Sequence, residues 1–132
     1  LEKTLLIIKP DAVRRNLIGH IISRLERAGF NIREMRMVQL TPATARKFYA
    51  VHEGKPFLND LVEFMASTPV VPILLEKDNA VADLRALIGA TDPAKAICGT
   101  LRQEIALNVQ ENSVHASDSP ENAAKEISFF FE

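Results

Sequence analysis

The sequence predicts one β-sheet with helices packed against it, in the α/β or α+β class. Three observations carry that reading. Four short runs have strand character, and the segments between them repeat their apolar residues at helical spacing, in the order β-α-β-α-α-β-α-β-α. Hairpin turn signals between the strands are few. The 132 residues, 47% hydrophobic and 25% charged, contain no linker, internal repeat or low-complexity tract, so residues 1–132 are read as a single domain.

Thr4 to Lys9 reads as a strand buried on both faces, hence central in its sheet. Pro10 ends it and Asp11 looks like a helix N-cap. Val13, Leu17, Ile18, Ile21, Ile22 and Leu25 follow at helical spacing up to Gly29, a natural C-cap. Ile32 to Leu40 alternates imperfectly as a second strand. Thr41-Pro42 pairs a cap with a proline at the first helical position, and a helix runs to about Ala50. Phe57 to Ala66 is a further helix. Val70 to Glu76 is the third strand, where Pro72 suggests a sheet edge or a bulge. Ala80 to Ile88 is a helix closed by Gly89, and Gly89 to Gly99 reads as a long surface loop. Ser113 to Ala116 is a short fourth strand. Ser119-Pro120-Glu121 opens the last helix with a cap, a proline and an acid in the first turn.

Composition excludes several functions. Lys and Arg total 16 against 17 for Asp and Glu, a net charge of −1. General nucleic-acid or anionic-membrane binding would need a large positive excess. The single Cys98 gives no intramolecular disulfide and fits a reducing compartment. No apolar run approaches the ~20 residues of a membrane span. The first residues, Leu-Glu-Lys-Thr, lack a signal-peptide layout, so a cytoplasmic location is expected.

The two standard glycine phosphate cradles, the zinc ligand spacings and the G-x-S-x-G elbow are all absent. Phosphate chemistry would therefore have to rest on side chains. His20 and His52 read as surface or boundary histidines. His115 lies on a short strand just before the polar turn Ser117-Asp118-Ser119-Pro120. It is either a nucleophile or base beside a helix N-terminus, or a strand histidine hydrogen-bonded to the turn; these residues alone leave both open. A hydrolase triad of Ser117, His115 and Asp118 is disfavoured, because triads are assembled from distant segments. Lys9 either snorkels off its strand or fixes an ammonium at the strand's carboxyl end. Arg85 and Arg102 are solvated, or they join Lys9 and Thr91 in an anion pocket.

Asn112-Ser113-Val114-His115-Ala116-Ser117-Asp118-Ser119 resembles the active-site motif of nucleoside diphosphate kinases. The resemblance continues, in order, through Glu2 to Val13, Phe48-Tyr49 to Phe57, Ser67 to Val71, Gly89 to Pro93 and Gly99 to Arg102, and covers essentially the whole chain. It implies a ferredoxin-like βαββαβ sandwich, α+β, with a four-stranded antiparallel sheet and added helices. It also implies reversible transfer of the γ-phosphate of a nucleoside triphosphate to a nucleoside diphosphate, by a ping-pong route through phosphohistidine.

On that resemblance His115 matches the nucleophile, Glu126 the acid that orients its ring, and Ser117 the support of that acid. Lys9, Arg85, Thr91 and Arg102 match phosphate-binding groups, and Tyr49 a tyrosine near the transferring phosphate. Asn112, with Lys9, matches the groups that meet the sugar hydroxyl. Phe57 matches the aromatic that stacks on the base and Val109 its apolar neighbour. Magnesium is expected to be held mainly by the nucleotide phosphates, with no protein metal site. A homo-oligomer, tetramer or hexamer, is implied, with no membrane and no specific nucleic-acid partner. The sequence departs from the family pattern at Ala116 and Thr68, where glycine is usual, and at Cys98, Ile105 and Leu58. A catalytically silent relative would not retain Lys9, Arg85, Arg102, His115 and Glu126 together. An RNA-binding domain would want exposed aromatics where Leu5 to Ile8 stand.

Overall fold

A computed structural model describes residues 1–131. Four strands, β1 (Glu2–Ile8), β2 (Asn31–Met35), β3 (Val71–Lys77) and β4 (Val114–Ala116), form a single sheet in the order β2-β3-β1-β4. Every pairing is antiparallel. Seven α-helices accompany them: α1 (Pro10–Arg14), α2 (Ile18–Arg27), α3 (Pro42–Phe48), α4 (Leu58–Ala66), α5 (Ala80–Ile88), α6 (Leu101–Ile105) and α7 (Pro120–Phe131).

β1 is interior, between β3 and β4, and Leu5, Leu6, Ile7 and Ile8 are all fully buried. Alternation sends them to opposite faces. Leu6 and Ile8 meet Ile21 and Leu25 of α2 and Leu84 and Ile88 of α5. Leu5 and Ile7 meet Val62 and Met65 of α4, Tyr49 and Phe130. The sheet is thus the middle of three layers, which is why its central strand shows no polar face in the sequence.

Pro72 departs from the expectation of an edge. β3 is an interior strand, paired with β1 through Ile7↔Pro72 and with β2 on its other side. The Arg36 amide donates to the Pro72 carbonyl at 3.2 Å, and proline has no N–H to return. β2 stops at Met35, and pairing resumes only as an isolated bridge, Val38↔Val70. The expected bulge lies on the partner strand, between Ile32 and Glu34. The second strand is therefore shorter than Ile32 to Leu40.

The first helix is also corrected. Lys9, not Asp11, occupies the cap position of α1, and Asp11 is buried in its first turn. Asn16, at φ 60°, separates α1 from α2, a conformation that asparagine tolerates better than most residues. Within the long loop, Asp92 caps a short 3-10 turn, Pro93–Lys95. α6 was not expected from the sequence; the Thr100 side chain caps it by accepting from the Gln103 amide. No helix among the described residues is long and apolar enough to cross a membrane.

Candidate active site

His115 is the middle residue of β4 and pairs with Ile7. Its neighbours Val114 and Ala116 point into the α2/α5 layer. Alternation therefore turns His115 to the opposite face, toward α7 and the end of α3. There the Phe48 and Tyr49 rings meet it edge-on, at centroid distances of 5.6 and 6.2 Å.

One carboxylate oxygen organises the imidazole. Glu126 Oε1 of α7 lies 2.9 Å from His115 Nε2 and accepts from Ser117 Oγ at 2.7 Å. An ionised carboxylate only accepts, so Nε2 carries the proton and Nδ1 keeps its lone pair. The imidazole remains about a quarter exposed. Asp118 follows in the turn; its carboxyl is held below the usual range by the hydrogen bond from Asn122, helped by Arg85 and His115.

Two arginines bracket His115 along the backbone. Arg102 Nη2 donates to the Val114 carbonyl at 2.7 Å, and Arg85 Nη1 to the Ala116 carbonyl at 3.4 Å. Arg102 also donates to Gly89 O at 3.1 Å, and its buried Nε has no partner among the described residues. Burial, with Arg85 adding repulsion, brings Arg102 down to about 10.

Lys9 lies at the carboxyl end of β1 and is buried. Its Nζ donates to Asn112 Oδ1 and to the Gln110 carbonyl, both at 2.9 Å. Asn112 in turn donates to the Thr91 carbonyl at 3.1 Å. Burial pulls Lys9 down to about 8, against the opposing charge of Asp11, while Arg102 lowers it further. Lys9, Asn112 and Thr91 thus form one network beside the arginines, drawn from three distant stretches of chain.

Tyr49 is buried, and desolvation together with Glu126 pushes its hydroxyl well up, so it stays protonated. Phe57 and Val109 are both exposed. Phe57 connects inward through rings: it meets His52 at 5.2 Å, and His52 stacks on Tyr49 at 6.0 Å. His52 is therefore more than a boundary histidine. Burial, Lys55 and His115 all lower its proton affinity, and its buried Nδ1 has no partner among the described residues. His20 instead pairs with Glu104, away from this cluster.

The structure brings Lys9, Asn112, Thr91, Arg85, Arg102, His115, Ser117, Glu126 and Tyr49 into a connected set, with Phe57 at its rim. Val109 stands in the adjacent loop, one residue before the carbonyl that receives Lys9. Sequence reasoning gave Phe48 no place beside His115, although it lies in a stretch that carries the resemblance, and read Asp11 as a helix cap. An open groove lined by Arg14, Asp60, Glu63, Phe64, Ser67 and Gln110 lies beside this loop rather than at His115. Among the described residues, no group of three or more His, Cys, Asp or Glu is placed to hold a metal ion.

An antiparallel four-stranded sheet in this order, with added helices, is the ferredoxin-like α+β class. The family model described as nucleoside diphosphate kinase matches residues 2–132. The nucleoside diphosphate kinase of Chlorobium limicola is 58% identical over 99% of this chain and 94% of its own length. That of Salinibacter ruber is 53% identical over 98% of this chain and 92% of its own. Among solved structures, the Aquifex aeolicus nucleoside diphosphate kinase superposes with a TM-score of 0.96 at 42% identity, covering 99% of this chain and 95% of that one. The chain belongs to the nucleoside diphosphate kinase family.

Proposed function

We propose that this protein moves the γ-phosphate of a nucleoside triphosphate to a nucleoside diphosphate in two steps through His115. The observation that carries the reading is the carboxylate of Glu126 on Nε2, which leaves Nδ1 as the nucleophilic nitrogen. In the first step Nδ1 attacks the γ-phosphorus. The bond to the oxygen bridging the β- and γ-phosphates breaks, and the diphosphate leaves with that electron pair. The imidazolium character that builds on the ring is balanced by Glu126, which Ser117 holds in place. In the second step a β-phosphate oxygen of another diphosphate attacks the phosphohistidine, and the N–P bond electrons return to Nδ1. A phosphohistidine is close in energy to the triphosphate bond, so the exchange runs either way.

Phosphoryl transfer needs positioning and charge more than covalent machinery. Arg85, Arg102 and Lys9 supply positive charge, and the protonated Tyr49 hydroxyl can donate toward the transferring group. Lys9 and Asn112 would meet the sugar hydroxyl, Thr91 the phosphates, and Phe57 with Val109 the base. A magnesium ion brought in with the nucleotide would be held mainly by the phosphates, since the described residues offer no carboxylate cluster, and would supply further neutralisation of charge there. We place the protein in the cytoplasm as a tetramer or hexamer.

Incubation with γ-labelled ATP tests the reading. The expected product is a labelled protein, acid-labile and alkali-stable, that is discharged by any nucleoside diphosphate. Label that survives acid, or that is lost only to water, overturns it.

A further inference from the structure

A histidine ring does not choose its own tilt: rotation about the bond that joins it to Cβ is broad and roughly two-fold. For His115 a half-turn would take Nε2 off Glu126 and move Nδ1 with it. One hydrogen bond, at 2.9 Å, holds the ring by its Nε2 edge. The rest of the hold is aromatic. The Phe48 ring lies 5.6 Å from the imidazole at 75°, and the Tyr49 ring 6.2 Å away at 89°. Successive helical residues point roughly 100° apart and seldom reach one target. These two do so because α3 ends at Phe48 and Tyr49 is its C-cap. Phe48 is itself braced from behind. Phe129 and Phe130 of α7 each stand 5.2 Å from it, and 4.9 Å from one another. Glu126, Phe129 and Phe130 are spaced i, i+3 and i+4, so one face of α7 carries all three. That face grips the imidazole twice, directly through the carboxylate and indirectly through Phe48.

We propose that Phe48 is a positioning residue for phosphoryl transfer: its ring, braced by Phe129 and Phe130, fixes the tilt of the His115 imidazole, so that Nε2 stays on Glu126 and Nδ1 stays aimed at the incoming phosphorus. Phe48 has this role only if His115 is the nucleophile of the proposed function. It acts on the reaction through the imidazole, and its contact depends on the angle between the two ring planes. Without that ring, the Glu126 hydrogen bond and Tyr49 hold the imidazole alone. Displacing a reacting atom by about 1 Å can cost on the order of 100-fold in rate. A loosened ring still visits the productive tilt, so the expected loss is smaller, about 10-fold. Nucleotide binding is left alone, because the phosphate, sugar and base groups are carried by other residues.

The test is the single-turnover rate at which γ-labelled ATP labels His115. Phe48→Leu keeps the apolar bulk and loses the ring. Its rate at saturating ATP should fall about 10-fold, with the half-saturating concentration unchanged. Phe129→Leu removes a brace and leaves the Phe48 ring, so it should lower the rate by less. In a chain that already carries Glu126→Ala, Phe48→Leu should cost less than about threefold, because the hydrogen bond it protects is gone. A merely structural loss would carry over undiminished. Phe30→Leu controls for stability: Phe30 is buried in the core cluster of α2 and α5, away from Phe48, and its loss should lower the urea midpoint without slowing the labelling. An unchanged rate in Phe48→Leu, a change confined to half-saturation, or an equal cost in both backgrounds overturns the positioning role. A wild-type chain that takes no label overturns the proposed function and this role with it; a labelled wild type with any of those three outcomes overturns the positioning role alone.

Discussion

On the proposed function a single proton decides which nitrogen of His115 reacts, and the Glu126 carboxylate beside Nε2 sets it. His115→Ala should abolish labelling by γ-labelled ATP while far-ultraviolet circular dichroism stays native, because the ring is partly exposed and carries little of the core. Label moving to His20 or His52 would contradict the assignment. Glu126→Gln keeps an acceptor for Nε2 but removes the charge that balances the imidazolium, so turnover should fall about 10- to 100-fold. Arg102→Ala should slow exchange with adenine, guanine, cytosine and uracil diphosphates by one common factor, since on the proposed function the arginine, held on the Val114 carbonyl beside His115, serves the phosphates that all four share. Phe57→Ala should weaken all bases, purines more, because a stacking face reads little else. Steady-state turnover with the four diphosphates decides both. Lys9 also leaves a mark on stability. Its value near 8 in the folded chain lies below the ordinary 10.5. Between those limits the unfolded chain binds a proton that the folded one refuses, so stability rises with pH across that window. Urea unfolding of the wild type against Lys9→Met should show the wild type gaining relative stability from pH 8 to 10.5.

Elements differ in how openly the sequence declares them. β1 is readable because four consecutive apolar residues can only be a strand clothed on both sides. α5 is readable because Gly89 ends it at φ 88°. That glycine is also a close approach: a Cβ there would stand 2.5 Å from Thr100 Oγ1 and 2.7 Å from Thr100 Cβ. Gly89→Ala should therefore displace the cap of α6 and the carbonyl that holds Arg102, and cost about 1–3 kcal/mol in denaturant unfolding. Gly54→Ala, at φ 85° in open space, should cost less. The break between α1 and α2 is hidden because the apolar spacing continues across Asn16, and only the backbone reveals the left-handed residue. α6 is hidden because five residues carry too little periodicity to register. Pro72 misleads because a missing donor marks any place where a ladder is interrupted, and here β2 ends opposite an interior strand. The site was legible through a motif, residue by residue. Phe48 and His52 were not, because ring contacts across the fold leave no spacing in the chain.

At the scale of the molecule, apolar surface remains outside the two core clusters. Met35 and Met37 at and beyond the end of β2 are exposed, as are Ile97, Leu107 and Val109 around the long loop. β2 is an edge strand with unpaired backbone groups, which a protein must cover or protect. The expected mass in solution is that of a tetramer or hexamer, and light scattering at micromolar concentration should show it; a monomer would contradict the assembly.

The sheet order also imposes a schedule on folding. The strand made first sits in the middle of the sheet, and both of its partners come later in the chain. Lys9 must wait for Asn112, 103 residues downstream, before its ammonium has a seat. Contacts of that span close slowly, because the loop entropy is lost before the pairing rewards it. Leu5 to Ile8 therefore have no strand partner until Val71 to Leu74 have been made, and no second one until Val114 to Ala116 follow. The candidate centre is among the last parts to form: until the strand of His115 adds itself to the sheet, β1 lacks its second neighbour and Lys9 its seat on Asn112. No partly made copy can spend a nucleoside triphosphate.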